Sequence, residues 1–106
     1  MNFKKYTVDF SGVKHYLEMH KVIKDSLGFP DYYGANWDAF WDCLTDMYGE
    51  KIHIEIKGSD IINERFGKDV LDKMIEILKR FKYFSKAFEN DIKIEIIKNS
   101  KIISIE

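Results

Sequence analysis

The sequence predicts an α/β fold: a small three-stranded parallel sheet packed on helices, to which the C-terminal segment can add a fourth, antiparallel strand. Short segments that alternate polar and apolar residues are separated by longer segments with apolar residues at three- and four-residue spacing. Strands joined through helices are usually parallel, because parallel pairing needs a long crossover connection. The 106 residues fit one domain, so we expect residues 1–106 to form a single domain.

The chain begins with a predicted strand and a predicted helix. Residues 3–10 include an aromatic and β-branched run that is typical of a strand. Ser11 is expected to cap a first helix, which Gly28 and Pro30 end. The apolar stripe of this helix consists of Val13, Tyr16, Leu17, His20, Ile23 and Leu27.

The second helix is predicted over about residues 34–47 and has two different sides. At about 100° per residue, its apolar side chains cluster within an arc of roughly 100°. They are Trp37, Phe40, Trp41, Leu44 and Tyr48. An adjacent arc of similar width is polar, and Trp41 lies at the border between the two. Its members are Asp38, Asp42, Thr45 and Asp46. The helix can therefore bury its aromatic side, with Trp37 and Phe40 in the core, while its carboxylates face solvent.

The second half of the chain contains a long helix between strands. The predicted elements are a strand at 51–57, a short helical segment around 60–64, a long amphipathic helix at 66–88, a strand at 92–97, a turn at 99–100 and a last strand at 102–105. The strand at 51–57 alternates polar and apolar residues at every position, which makes it the clearest strand in the sequence. The turn would place the last strand antiparallel to the one before it.

The charge of the chain is unevenly distributed. Its formal net charge is −1, yet residues 25–50 contain six carboxylates and no Lys or Arg, so the remainder of the chain carries +5. The six are Asp25, Asp31, Asp38, Asp42, Asp46 and Glu50. An acidic surface on a mildly basic body suits a cationic protein partner. No basic cluster is dense enough to indicate direct binding of nucleic acid.

Cysteine usage and hydropathy indicate a cytoplasmic protein. Cys43 is the single cysteine and cannot form an intramolecular disulfide, which favours a reducing compartment. The N-terminal residues lack the apolar stretch of a signal peptide. No apolar run approaches the roughly 18 residues of a membrane span, so we expect no contact with a membrane.

No pattern typical of an enzyme or of a cofactor site occurs in the sequence. We find no Ser/His/Asp order, glycine-rich phosphate loop or zinc-ligand spacing, so we expect neither catalysis nor a cofactor. Asp38, Asp42 and Asp46 offer one alternative, a site for a hard cation and with it a metal-dependent hydrolase, although such sites usually take their ligands from loops. His20 is expected to be a hydrogen-bonded core residue, and Cys43 a small buried one.

One segment resembles a known family. Residues 27–45, Leu-Gly-Phe-Pro-Asp-Tyr-Tyr-Gly-Ala-Asn-Trp-Asp-Ala-Phe-Trp-Asp-Cys-Leu-Thr, are similar to the signature of the barstar family of intracellular inhibitors of barnase-type ribonucleases. The order of elements agrees with that family along residues 3–98. The resemblance implies a barstar-like fold without enzymatic activity. It also implies a protein, monomeric when free, that binds a basic ribonuclease one-to-one and blocks its active site with the second helix and the preceding loop.

The resemblance implies roles for individual residues. Asp38 and Asp42 would meet the cationic phosphate-binding groups of the enzyme, with Asp42 at the centre, because the carboxylates stand in for substrate phosphates. Tyr32 would pack against the enzyme from the loop. Asp46 is added because it lies on the same acidic arc. The predicted partner-binding residues are therefore Tyr32, Asn36, Asp38, Trp41, Asp42, Thr45 and Asp46.

Some positions leave alternatives open. The family commonly continues with Gly-Trp after its Thr, whereas this chain has Asp46-Met47. The partner can therefore also be a different basic toxin or nuclease, for which the protein would serve as an immunity protein, antitoxin or regulator. The family has a further acidic contact on its long helix. When the apolar positions of this chain's long helix are matched to those of the family, Arg80 falls at that contact and Glu76 lies one turn earlier. Neither residue is assigned to the site. One of the two tyrosines at 32 and 33 must point inward, and the sequence does not decide which.

Overall fold

Four strands and four helices follow one another along the residues that the computed structural model describes, which are 3–47, 49–87 and 91–106. In chain order they are β1 (Lys4–Asp9), α1 (Tyr16–Leu27), α2 (Trp37–Thr45), β2 (Ile52–Lys57), α3 (Ser59–Phe66), α4 (Lys68–Ala87), β3 (Ile92–Lys98) and β4 (Lys101–Ser104). The predicted α/β class is confirmed.

The strands form one sheet in the order β1-β2-β3-β4. β1 and β3 both pair with β2 in parallel, and β4 pairs with β3 antiparallel, with Ile103 opposite Ile96. The Ile105 amide donates to the Ile94 carbonyl at 2.9 Å, which continues the pairing past the end of β4. Three parallel strands and a fourth antiparallel one are what the sequence predicts. β4 covers the strand edge that β3 would otherwise expose.

The helices cover one face of the sheet and enclose the core. The isoleucines at 52, 54 and 56 point to this face and are at most 2% exposed, which explains the strict alternation of β2. α1 packs against β1, whereas α3 and α4 pack against β3. α2 packs mainly on α4 rather than on the sheet. The second helix therefore lies at the outside of the molecule, with one side free for solvent.

The beginning of α1 differs from the prediction. Ser11 does not cap the helix: its amide and hydroxyl both donate to the carboxylate of Asp9, which closes a local turn after β1. These bonds hold the pKa of Asp9 below its usual value. The helix begins only at Tyr16, after His15, whose amide donates to the Glu18 carboxylate at 3.0 Å.

The buried side of α1 also differs in part from the predicted stripe. The predicted stripe is wrong at Leu17, which is 69% exposed, and at Tyr16, which is also exposed. Met19, absent from the predicted stripe, is fully buried. His20, Ile23 and Leu27 are buried as predicted, and Val13 is buried although it precedes the helix.

Other helix boundaries also differ from the prediction. The long helix predicted over residues 66–88 is α4, which begins two residues later than predicted, because Gly67, with φ of +97°, separates it from α3 and leaves Phe66 as the last residue of α3. α3 confirms the short helical segment predicted around 60–64 and is longer than expected. Tyr48, which is predicted to lie on the apolar side of the second helix, and residue 88, the predicted end of the long helix, lie outside the described residues.

His20 is a buried polar residue between α1 and the loop that leads to α2. Its Nδ1 lies 2.7 Å from the hydroxyl of Tyr33, and it is 1% exposed, which confirms the predicted hydrogen-bonded core histidine. Its Nε2 has no hydrogen-bond partner among the described residues, and the Tyr16 and Trp37 rings lie within 5.2 Å of the imidazole ring. Burial lowers the pKa of His20 and raises the pKa of Tyr33. Both side chains are therefore neutral in the folded protein at pH 7.

The free energy of unfolding should fall as the pH is lowered below about 6.5. His20 has a lower pKa when folded than when unfolded, so the unfolded chain binds the proton first, and the stability of the neutral form is fully present only above the unfolded pKa. One linked proton gives a slope of at most about 1.4 kcal/mol per pH unit. Urea unfolding between about pH 5 and pH 7.5 measures this slope, which the variant His20→Gln should reduce.

The exposed His15 provides the control. The variant His15→Gln should keep the wild-type slope, because its side chain lies at the surface. An unchanged slope in His20→Gln would show that another group is responsible for the pH dependence.

Candidate partner-binding surface

The loop between α1 and α2 sends one tyrosine inward and one outward. Gly28, with φ of +69°, ends α1, and the Tyr33 amide then donates to the Pro30 carbonyl at 3.0 Å to form a turn. Tyr33 is 9% exposed and is held by its hydrogen bond to His20, whereas Tyr32 is 79% exposed. The question that the sequence left open is thus answered. The exposed tyrosine is the one predicted to contact a partner.

Asn36 fixes the beginning of α2. Its Oδ1 accepts the Ala39 amide at 2.8 Å, and its Nδ2 donates to the Gly34 carbonyl at 3.1 Å. Asn36 is therefore an N-cap that joins the helix to the preceding loop. The signal was present in the sequence, since Asn directly before an apolar helical pattern is a common start. A contact of Asn36 with a partner stays a prediction.

The apolar side of α2 faces α4 and the core. Phe40 and Leu44 are at most 2% exposed, and Cys43 is also buried. Phe40 was correctly predicted to lie in the core. The expectation for Trp37 is only partly met, because its ring is half-buried at 5.0 Å from the His20 ring and also lines a groove described below.

Trp41 lies at the border between the buried and the exposed side, as predicted. Its half-buried ring meets the Phe84 ring edge-on at a centroid distance of 5.7 Å. The guanidinium of Arg80 lies 4.6 Å from the centroid of the Trp41 ring, within the range of a cation–π interaction. Two residues of α4 therefore hold this indole in place.

The exposed side of α2 and its C-cap present three carboxylates, Asp38 and Asp42 on the helix and Asp46 at the cap, which we call the acidic ridge. Within the part of the chain that the structure describes, no Lys, Arg or His nitrogen lies within 4 Å of them. Two other carboxylates of residues 25–50 form ion pairs: Lys21 contacts Asp25 at 2.8 Å, and Lys24 contacts Asp31 at 3.1 Å. Of the six carboxylates in residues 25–50, three thus form the unpaired acidic ridge, and the sixth, Glu50, lies in the loop before β2.

The ridge places negative charges one helical turn apart. Asp38 and Asp42 at i and i+4 repel one another by a few tenths of a kcal/mol in a solvated helix. Asp46 follows the last turn, where the helix dipole disfavours an anion. Burial, followed by the charges of Asp46 and Asp42, raises the pKa of the Cys43 thiol. Thr45 donates its hydroxyl to the Asp42 carbonyl at 2.9 Å.

A groove of about 230 Å³ runs between α2 and α4, and we call it the α2–α4 groove. Its lining residues are Trp37, Asp38, Trp41 and Asp42 of α2, with Lys73, Ile77 and Arg80 of α4. Lys73 and Arg80 were not assigned to the site from the sequence, although Lys73, Ile77 and Arg80 follow at i, i+4 and i+7 on one helix face. Glu76 does not line this groove and instead lies 3.8 Å from Lys73.

The described residues contain one group of three close metal-ligand atoms, and it lies away from the ridge. His53, Glu55 and Glu95 stand on the open face of the sheet with ligand atoms within 4.8 Å of one another. His53 is 2.7 Å from Glu95, and lysines contact both carboxylates at 3.3 to 3.9 Å, so the group forms an ion-pair network. The lysines are Lys5, Lys57 and Lys93. The three aspartates of the ridge form no such group in this part of the chain.

No helix among residues 3–47, 49–87 and 91–106 is both long and apolar enough to cross a bilayer.

Comparison with known proteins agrees with this architecture. The family model described as "Barstar (barnase inhibitor)" matches residues 3–97, from β1 into β3. The chain belongs to the barstar family. It is also similar to a Bacillus subtilis (strain 168) protein named "Putative ribonuclease inhibitor YrdF", with 34% identity over 76 residues, 72% of this chain and 82% of the relative. β4 lies beyond the residues that the barstar model matches.

Replacing Asn36 with Ala should lower the free energy of unfolding by about 1 kcal/mol, because the Ala39 amide at the start of α2 loses its acceptor. Asn36→Asp should recover part of this loss, since a carboxylate also accepts the Ala39 amide, but it cannot donate to the Gly34 carbonyl. Chemical denaturation of the three proteins measures the difference. Equal stability of Asn36→Ala and wild type would contradict the capping role.

Proposed function

We propose that this protein inhibits a basic, barnase-type ribonuclease by binding it one-to-one, with α2 and the preceding loop blocking the active site. The acidic ridge carries this proposal, because its three exposed carboxylates lie along α2 and at its C-cap without an ion-pair partner in the described chain. Membership of the barstar family supports it, as does the name of the Bacillus subtilis relative. The protein acts as an inhibitor and not as an enzyme.

The ridge can substitute for the phosphates of RNA. A ribonuclease that binds RNA must present cationic groups to the phosphates, and a row of carboxylates offers them a similar pattern of negative charge. Repulsion between Asp38 and Asp42 in the free protein is relieved when a cationic cleft approaches. Asp42, in the middle of the ridge, is the central contact.

The surface around the ridge is held in a fixed shape, which favours tight binding. The N-cap of Asn36 and the buried pair Tyr33–His20 fix the loop, and Phe40 anchors the helix. A binding surface that is ordered before binding loses less conformational entropy in the complex. The exposed Tyr32 and the half-buried ring of Trp41 then add aromatic area next to the charges, as is common at binding hot spots. Asn36 and Thr45 flank the contact.

The proposed role places the protein in the cytoplasm as a monomer until it meets the nuclease. There it protects the cell that makes it, without contacting nucleic acid directly. No cofactor takes part, because binding alone blocks the active site.

The pair Asp46-Met47 favours a second candidate partner. Asp46 is exposed and lengthens the ridge, whereas Met47 is half-buried and packs against the core. The end of the binding surface thus carries the carboxylate of Asp46 where the family commonly has glycine, and Met47 where the family commonly has tryptophan. A different basic toxin or nuclease, bound through the same ridge, would make the protein an immunity protein for that partner.

Mixing the protein with a barnase-type ribonuclease at equimolar ratio should abolish cleavage of RNA. Asp42→Ala should weaken inhibition by several kcal/mol and Asp38→Ala by less, because Asp42 is central to the ridge. Close charge pairs in the barnase–barstar complex, the type pair of the family, have measured couplings of about 1.5–7 kcal/mol. Inhibition constants for the wild type and both variants provide the measurement.

The variant Asp60→Ala is the matched control, since it removes an exposed carboxylate from the first turn of α3, away from the ridge. Its inhibition constant should equal that of the wild type. Undiminished RNA cleavage by every barnase-type ribonuclease tried would contradict the proposed function and leave the second candidate. Equal inhibition by Asp42→Ala and Asp60→Ala would contradict the role of the ridge.

A further inference from the structure

We propose that Lys73 and Arg80 of α4 are specificity determinants that select a ribonuclease carrying a carboxylate next to its cationic groups. This inference rests on the proposed function and adds the chemistry of the partner. The observation behind it is the mixed charge of the α2–α4 groove, with Asp38 and Asp42 on one wall and the two cations on the other.

The two walls of the groove are not joined by ion pairs. No nitrogen of Lys73 or Arg80 lies within 4 Å of a ridge carboxylate in the described chain. Arg80 is turned onto the Trp41 ring at 4.6 Å, and Lys73 lies 3.8 Å from the exposed Glu76. The groove therefore keeps both signs of charge available at its surface.

A uniformly cationic cleft does not match this surface. Cations that approach Asp38 and Asp42 would also approach Lys73 and Arg80, and like charges brought together at an interface cost binding energy. A cleft with cations opposite α2 and a carboxylate opposite α4 matches both walls. The groove itself, at about 230 Å³, has room for a partner side chain between them.

Such a cleft is chemically reasonable for an enzyme that cleaves RNA. Cations must bind the phosphate, and a general base must take a proton next to it, a task for which carboxylates are suited. The inhibitor would then contact the phosphate-binding groups through the acidic ridge and the carboxylate through Arg80 and Lys73.

Arg80 is well placed for this contact because its position is fixed. The Trp41 ring below the guanidinium limits its motion, so less entropy is lost on binding than for a free surface side chain. Lys73 supplies a second positive charge on the same face of α4. An α2–α4 surface of mixed charge would reject basic proteins that lack the acidic group.

Inhibition of a barnase-type ribonuclease by charge variants of α4 tests the inference. Arg80→Gln should raise the inhibition constant about tenfold and Lys73→Gln about threefold, because each removes a partner of the carboxylate. Arg80→Glu should bind more weakly than Arg80→Gln, since it places two carboxylates together. Thermal unfolding of each variant verifies that the fold is retained.

Two controls separate charge from other effects. Lys79→Gln removes a positive charge from the same helix outside the groove and should leave the inhibition constant unchanged. Arg80→Lys keeps the charge but not the planar stack on Trp41, so its inhibition constant should lie between those of the wild type and Arg80→Gln.

The outcomes distinguish this inference from the proposed function. Failure of the wild-type protein to inhibit overturns both. The wild type can inhibit while its charge variants inhibit equally tightly or more tightly. That result for Arg80→Gln, Arg80→Glu and Lys73→Gln overturns the inference alone and indicates a uniformly cationic cleft. If Arg80→Lys is as weak as Arg80→Gln while Lys73→Gln is unchanged, Arg80 acts by positioning Trp41, which also overturns the inference.

Discussion

The packing of α2 on α4 determines the rest of the partner-binding surface. A helix of nine residues is too short to be stable alone in water, so α2 depends on what it buries. Burial of a large apolar side chain such as Phe40 or Leu44 contributes about 1.5–3 kcal/mol. Because the buried side is fixed, the side that carries Asp38 and Asp42 must face outward. Burial of the aromatic residues of this helix therefore determines the exposure of its carboxylates.

Much of the fold follows from local sequence patterns. The alternation at 51–57 and 92–97 predicts strands whose isoleucines face the helices, and the turn before β4 predicts its antiparallel direction. The errors occur where a local interaction competes with the helical pattern. The Asp9–Ser11 turn delays the start of α1 to Tyr16, and Gly67 ends α3 after Phe66, so that α4 begins two residues later than the predicted long helix. A hydrophobic period alone does not show such competing contacts.

The candidate site is predictable only in part, and for a physical reason. The acidic ridge follows from helical spacing within α2, so the sequence is sufficient to place its carboxylates on one side. The position of Arg80 over Trp41 depends instead on how α4 crosses α2, a tertiary relation that no pattern in either segment contains. The inward turn of Tyr33 depends in the same way on His20, thirteen residues away. Contacts with a partner lie one step further, and all seven partner-binding residues stay predictions.

The acidic ridge remains available to a partner because its carboxylates face solvent and the nearby cations are engaged elsewhere. Lysines of α1 pair with Asp25 and Asp31, and the guanidinium of Arg80 rests on an indole, so the carboxylates of α2 keep their hydration. Exposed charges of this kind add little to the stability of the free protein. On binding they must lose water, and only a partner with matching charges restores that free energy. A partner that leaves even one of them buried and unpaired is strongly disfavoured, so the same carboxylates that attract a basic nuclease also exclude poorly matched ones.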